Sequence, residues 1–193
     1  ARRLMYWQVY LHKTVVSAEQ LLLKIFKRLK ELIDKNQEVY LNREFEFFLR
    51  NKAKKNIQEI LENFSKIDDT DILGMVKVWA NHPDAVLSAL SNRLLYRKLF
   101  RIEIQNQPFN KTAIENLKKQ ASNQMNIPLS EIDYFVFADT ISKTAYSAFD
   151  DNIKILYKDG TIVDIAEASD MLNTSVLSKT VKKYFLCYPK EIN

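Results

Sequence analysis

The chain of 193 residues carries 29 Lys and Arg against 24 Asp and Glu, a net charge of +5, and 47% of its residues are hydrophobic. This composition indicates a globular protein of one domain or two small ones that can bury a core. The two glycines, Gly74 and Gly160, exclude a glycine-rich phosphate loop and a dinucleotide-binding fingerprint. The single cysteine, Cys187, excludes an intrachain disulfide and a thiolate metal cluster, so we expect a reducing, cytoplasmic location.

The sequence patterns also bear on the class of partner. No apolar run is long enough to cross a bilayer and no secretory signal pattern is present, so a membrane partner is not expected. The positive charge is compatible with an anionic partner. However, lysines alternate with acids along residues 24–31, which is typical of a solvated helix face. Because no nucleic-acid-binding motif occurs, we do not expect nucleic acid as a partner.

The first residues of the chain already follow a helical pattern, without an initiator methionine or a capping residue. This start predicts a segment of a longer chain, although a removed tag would leave the same mark. A helix is predicted from the start to about residue 36, because the apolar residues Leu22, Phe26, Leu29 and Ile33 recur at helical spacing. One face of its opening turns would carry cations and phenols, namely Arg2, Tyr6, Tyr10 and Lys13. That face would be either the wall of a site or a solvated surface, and periodicity alone favours the solvated surface.

Helical spacing continues through the rest of the first half. Further helices are predicted at about residues 41–52, 57–64, 72–80 and 86–98. We expect Asp69 or Thr70 to cap the helix that starts near residue 72. We expect Asp68 and Asp69 to serve the cap and dipole of that helix rather than to form a catalytic carboxylate pair.

The second half changes to short alternating apolar and polar segments, which indicate strands at residues 100–104, 134–137 and 184–188. A helix is predicted at residues 111–125, and two shorter ones at residues 166–172 and 175–181. Residues 153–157 and 162–165 form the clearest hairpin, around the Asp159-Gly160 turn. We therefore predict an α+β fold, with helical residues 1–98 followed by a small antiparallel α+β subdomain over residues 99–193.

Two classes of catalytic centre are not predicted within the chain. His12 and His82 are the only histidines, and neither has a His or a carboxylate at ligand spacing, so no complete metal site is expected. Cys187 lies between Leu186 and Tyr188 on an apparent strand, so we expect it to serve packing rather than nucleophilic attack.

Anion binding is the better supported chemistry. Arg93 and Arg97 lie four residues apart at the end of a predicted helix, next to Lys98 and Arg101, so Arg93 and Arg97 would share a face and grip a phosphate. A plain preference of cations for a helix C-terminus explains the same pattern.

Three segments in this order resemble the C-terminal part of bacterial HD-domain phosphohydrolases, relatives of the deoxynucleoside triphosphate triphosphohydrolases. The segments are Met5–Thr14, Asp84–Arg93 followed by Arg97-Lys98-Leu99-Phe100, and Tyr157–Ile165. They resemble the family's helix after its last metal ligand, its short helix with an R-x-L-F sequence, and its C-terminal hairpin. The resemblance implies a parent enzyme that hydrolyses nucleoside triphosphates with a divalent metal, which would polarise the phosphate and activate a water.

The resemblance also implies roles for particular residues. Arg2 matches an arginine that contacts the substrate phosphates, and Tyr10 matches a tyrosine beside the sugar and base. Four residues match positions that hold a regulatory nucleotide between subunits in the mammalian relative with SAM and HD domains: His12, Lys13, Arg97 and Arg101. No residue matches the metal-binding histidines and aspartates of the family, which would lie upstream, so we expect this chain alone to be inactive. The implied partners are the N-terminal HD portion of the same protein, a nucleoside triphosphate and further copies in a homo-oligomer.

Two alternatives remain open at this point. The arginines near residue 97 and the His12-Lys13 pair, without a catalytic set, are compatible with a non-catalytic nucleotide-sensing or oligomerisation module. The basic charge is also compatible with RNA or single-stranded DNA binding, which would depend on salt.

Overall fold

The structure, a computed structural model, describes residues 5, 9, 12–50, 56–143, 154–164 and 181–192. Its helices are α1 (Lys13–Asp34), α2 (Arg43–Leu49), α3 (Ile57–Phe64), α4 (Asp69–Trp79), α5 (Ala85–Leu95) and α6 (Lys111–Met125). Its strands are β1 (Arg101–Gln105), β2 (Phe137–Lys143), β3 (Lys154–Leu156), β4 (Ile162–Asp164) and β5 (Val181–Tyr188). The predicted α+β class is confirmed, with the helices of the first half preceding an antiparallel sheet.

The described strands form two antiparallel sheets. In the larger one β5 lies between β1 and β2, with Arg101 opposite Tyr188 and Phe137 opposite Cys187. The smaller one is the predicted hairpin, in which β3 pairs with β4. Gly160 occupies its turn with φ +87°, a conformation that only glycine adopts without strain.

Helix α1 is the central element of the helical half. Four of its side chains are fully buried at helical spacing: Leu21, Ile25, Leu29 and Leu32. The sequence-based stripe was right at Leu29 but wrong by one residue at Leu22, Phe26 and Ile33, which are only partly buried at the edge of this face. The buried face packs against α5, so α1 is the helix that holds the core together.

The core includes residues from both predicted halves. Trp79 and Leu87 from the helices, and Phe135 and Phe185 from the sheet region, belong to one buried cluster. At the junction the Ser17 hydroxyl of α1 donates a hydrogen bond to the Phe100 carbonyl, 3.1 Å away. The division between residues 98 and 99 stays a prediction.

Several predicted elements begin or end up to three residues away from their bounds in the structure, as α5 does by ending at Leu95, and two differ more substantially. Helix α1 begins at Lys13, because His12 is extended with φ −61° and ψ 134°, so no continuous helix runs through His12. Tyr134 lies in a short 3-10 helix (Leu129–Tyr134) instead of a strand, and β2 begins only at Phe137. The predicted helices at residues 166–172 and 175–181 lie outside the described residues.

Candidate functional site

His12 caps the N-terminus of α1, where the predicted regulatory residues begin. Its Nδ1 accepts a hydrogen bond from the Thr14 backbone N–H at 3.3 Å, which satisfies one of the free donors of the first turn. Lys13 follows with an exposed side chain. A ligand could therefore meet the Nε2 atom of His12 and the ammonium group of Lys13. Arg2 and Tyr10, the predicted substrate residues, lie outside the described residues.

An open, mainly apolar groove of about 790 Å³ begins at this first turn of α1. Its lining includes Thr14 and Val15 of α1, Leu73 of α4, and Leu94 and Arg97 at the end of α5. Val15 is 45% exposed and Leu73 48% exposed, so apolar surface faces the solvent here. The volume lies within the range of about 300–1,000 Å³ that is common for ligand pockets. Arg97 and Thr14, the residue that follows Lys13, therefore line the same groove.

The predicted phosphate grip by Arg93 and Arg97 is wrong in its geometry. Helix α5 ends at Leu95 and Arg97 has φ +53°, so these two arginines do not share a helix face. Arg93 is held within the chain, since its Nη2 lies 3.2 Å from a carboxylate oxygen of Glu191 and its Nη1 donates to the Lys98 carbonyl at 3.2 Å. Arg97 alone of the pair therefore faces the groove.

Arg101 lies at the start of β1 and does not line the groove. Its guanidinium carbon is 5.9 Å from the ring centroid of Tyr188, the residue opposite it in the sheet. Its Nε lies 3.9 Å from a carboxylate oxygen of Glu103. Arg97 thus lines the groove beside the start of α1, whereas Arg101 makes a separate cation–π contact.

Both histidines accept a backbone hydrogen bond at Nδ1. His82 Nδ1 accepts from the Asp84 N–H at 3.0 Å, so its Nε2 carries the proton and donates to the Glu38 carbonyl, also at 3.0 Å. Across the described ranges no group of three or more His, Cys, Asp or Glu side chains could hold a metal ion. Asp68 caps α4 in a capping box with Asp71 and Asp69 lies in the first turn, so this acidic pair serves the helix start as expected. The prediction that Asp69 or Thr70 would be the cap is wrong, because the helix begins at Asp69 rather than near residue 72.

A buried cation on α1 was missed by the sequence analysis. Arg28 is only 7% exposed and contacts carboxylate oxygens of Asp84, Glu131 and Glu31. The hydrogen bond with Asp84 raises the pKa of the Arg28 guanidinium above its usual value, so it stays charged. The signal was present, because residue 28 follows Leu21 and Ile25 at the spacing of the buried face.

The fully buried Cys187 agrees with the packing role expected for it. Burial raises the pKa of its thiol to about 12, whereas nucleophilic cysteines have lowered pKa values. Within the part of the chain that the structure describes, no helix is both long and apolar enough to span a bilayer.

No protein-family model matches this chain. Its sequence is 28% identical over 202 residues to YwfO, an uncharacterised protein of Bacillus subtilis, and the match covers all of this chain and 44% of that protein. Its structure is similar to the crystal structure of a phosphohydrolase from Bacteroides thetaiotaomicron, with a TM-score of 0.82 and 49% sequence identity. That match covers 98% of this chain and 48% of the other. The chain therefore spans about half the length of both relatives.

Proposed function

We propose that this chain is the C-terminal portion of a cytoplasmic, metal-dependent HD-type phosphohydrolase that acts on (deoxy)nucleoside triphosphates. The observation that carries the proposal is the similarity to the Bacteroides phosphohydrolase at 49% identity over 98% of this chain. Because a fold alone does not imply a function, the sequence identity weighs more here than the TM-score. The three ordered segments that resemble the HD family support the finer assignment of family and substrate.

In this proposal the metal ligands belong to the other half of the longer protein. The metal would polarise a phosphate oxygen and lower the pKa of a bound water. The described residues of this chain do not fit such an ion, because they offer no cluster of ligands and both histidines are engaged with the backbone. The chain's own contribution would be a substrate wall and contacts between subunits.

We assign the substrate wall to Arg2 and Tyr10, which precede α1. The Arg2 guanidinium would bind phosphate oxygens and the Tyr10 hydroxyl would meet the sugar. The groove beside the first turn of α1 would be covered by the N-terminal HD portion, since burial of its exposed Val15 and Leu73 would be favourable.

Hydrolysis of deoxynucleoside triphosphates by the full-length protein with Mg²⁺ or Mn²⁺ tests this function. Arg2→Ala should lower kcat/KM by roughly 10- to 100-fold, because a hydrogen bond to a charged group is worth about 1.5–3 kcal/mol. Tyr10→Phe should lower it by up to about tenfold, since only a neutral donor is lost. Lys119→Gln, at an exposed position of α6, is the control and should keep the wild-type rate.

Wild-type rates in both site variants would remove Arg2 and Tyr10 from the substrate wall. A full-length protein that hydrolyses other phosphoesters but no nucleoside triphosphate would keep the phosphohydrolase class and overturn the substrate. A protein that hydrolyses no phosphate compound with either metal would overturn the function itself.

The groove geometry favours a second candidate, a nucleotide-sensing or oligomerisation module. Arg97 lines the same groove as Thr14, the residue that follows Lys13, so an arginine and the start of α1 border one groove. Calorimetric titration of the chain with deoxynucleotides in the presence of EDTA separates the candidates. Metal-independent binding that is lost in Arg97→Gln would support the module, and light scattering with and without nucleotide would show whether copies assemble. No binding would leave only a scaffold role.

A further inference from the structure

A second cavity, of about 480 Å³, lies between α1, α6 and the start of β2, and lysines dominate its polar lining. Four of them contribute: Lys24, Lys27, Lys111 and Lys118. Only two carboxylates, Glu115 and Asp133, lie among its lining residues, and its apolar wall includes Val136 and Phe137. None of these residues belongs to the groove beside His12, so we treat this lysine pocket as a separate site.

Both carboxylates of the lysine pocket are used by one lysine. The Lys118 ammonium lies 3.0 Å from Glu115 Oε1 and 3.0 Å from Asp133 Oδ1. These two contacts raise the pKa of Lys118, with the Asp133 hydrogen bond as the larger cause. Within the described ranges of the chain, no carboxylate lies within 4.0 Å of the ammonium groups of the other three lysines. No described carboxylate therefore neutralises the positive charge of these three lysines by an ion pair.

Aromatic rings and a carbonyl hold two of these lysines in place. The Lys24 ammonium donates to the Asp133 backbone carbonyl at 2.9 Å and lies 3.9 Å from the ring centroid of Phe137. The Lys27 ammonium lies 5.5 Å from the ring centroid of Tyr134. Such contacts position a cation but leave its charge in place. Since an ammonium group has three donors, Lys24 keeps donor capacity for a ligand.

The pKa of Lys24 is lowered, which indicates that nearby negative charge does not fully stabilise its ammonium group. Burial and the positive charge of Lys27 lower the pKa of Lys24, and the more distant acids Asp133 and Asp139 offset this only in part. A bound anion between Lys24 and Lys27 would remove their mutual repulsion.

We propose that the lysine pocket binds a small polyanion of the diphosphate or triphosphate class, with Lys24, Lys27 and Lys111 as its cationic contacts. Its volume lies within the usual range of about 300–1,000 Å³ for small-molecule sites. Several ammonium groups around one cavity match the several charges of a polyphosphate better than the single charge of a carboxylate. The proposal does not depend on the proposed hydrolysis, because it concerns binding by this chain alone.

Calorimetric titration of the 193-residue protein with sodium triphosphate, pyrophosphate and orthophosphate at about 0.1 M salt tests the site. We expect triphosphate to bind most tightly and orthophosphate most weakly. Lys27→Gln and Lys111→Gln remove exposed side chains, so they should not disturb folding, and each should weaken triphosphate binding about tenfold. Lys119→Gln on α6, at an exposed position outside the lysine pocket, is the matched control and should leave the affinity unchanged.

The proposal would be overturned by the absence of triphosphate binding, or by wild-type affinity in both Lys27→Gln and Lys111→Gln. A single-stranded oligonucleotide that binds more tightly than triphosphate through the same lysines would also overturn it, in favour of a nucleic-acid surface. Equal affinity for triphosphate and a deoxynucleoside triphosphate would support a site for the phosphates alone. Tighter binding of the nucleotide would support the same site with the nucleotide as the source of the anion. The Arg2 and Tyr10 variants of the full-length enzyme test the hydrolytic function separately.

Discussion

The Arg28 guanidinium and the Asp84 carboxylate form a two-point contact, with Nε 3.0 Å from Oδ1 and Nη2 2.7 Å from Oδ2. Asp84 is also the N-cap of α5 and accepts the Leu87 N–H at 2.8 Å. One carboxylate therefore both caps α5 and binds α1, and Glu131 joins the short 3-10 helix to the same guanidinium at 2.9 Å. The contact fixes three elements around a cation that would be costly to leave unpaired.

Replacing Asp84 by asparagine should be strongly destabilising even though asparagine still caps a helix. Asp84→Asn removes the negative charge beside a buried guanidinium, and breaking such a pair costs about 3–5 kcal/mol. We expect about 3 kcal/mol, because Glu131 and Glu31 remain near Arg28. Urea denaturation monitored by circular dichroism measures this loss.

The matched control for Asp84→Asn is Asp68→Asn, at the exposed N-cap of α4, where the cap is preserved and no described arginine forms an ion pair with the carboxylate. It should change the free energy of unfolding by less than about 0.5 kcal/mol. Equal losses in the two variants would show that the charge pair contributes nothing beyond capping. A double variant with Arg28→Met should recover part of the stability, because it removes the unpaired charge.

The Arg28–Asp84 pair should make the free energy of unfolding depend on pH in the acid range. Burial alone would raise the pKa of Asp84, but the hydrogen bonds from Arg28 and Leu87 outweigh it and hold the pKa below its usual value. A carboxylate with a lowered folded pKa stabilises the protein above its unfolded pKa of about 3.9 and loses this effect as pH falls through the folded value. The stability difference between wild type and Asp84→Asn should thus be constant from pH 7 to 5 and shrink below about pH 4. A difference that stays constant to pH 3 in urea titrations would contradict this.

His12 is predicted to stabilise α1 through its cap. His12→Ala should cost about 0.5–1 kcal/mol, because the Thr14 N–H loses its acceptor, whereas His12→Asn should cost little because asparagine is a good N-cap. Thermal unfolding followed by circular dichroism measures both. The pair also separates capping from nucleotide binding, since His12→Asn would keep the cap and lose any contact made by the imidazole. Equal melting temperatures for His12→Ala and wild type would argue against the cap.

The sequence predicted best those elements whose own residues determine their conformation. Helix α6 has the predicted limits, residues 111–125, because Asn110 caps it and a regular helical pattern follows. The hairpin was predicted because Gly160 permits the turn between two alternating segments. Both features depend on neighbours in sequence, so local rules were sufficient.

The errors arose where distant contacts decide the conformation or the role of a residue. Residues 134–137 read as a strand, but Tyr134 completes a 3-10 helix while Phe135 and Val136 enter the core. Helical spacing gave no sign that His12 would be extended, since an imidazole is not a common cap. Within the candidate site, Arg93 was predicted to bind a phosphate, but its guanidinium contacts the carboxylate of Glu191, 98 residues later in the chain. No local pattern reveals a partner at that separation.

Cys187 should resist modification in the folded protein. The side chain is fully buried, and burial raises the pKa of its thiol to about 12, so very little of it is the reactive thiolate at pH 8. We expect less than about 5% reaction with an aromatic disulfide reagent over an hour in buffer, and complete reaction in 6 M guanidinium chloride, where the thiol is exposed. A protein with Cys187→Ala and Ser65→Cys, which moves the thiol to an exposed position at the end of α3, is the positive control and should react at once. Rapid reaction of Cys187 in buffer would mean that β5, between β1 and β2, opens readily, and would contradict its place in the core.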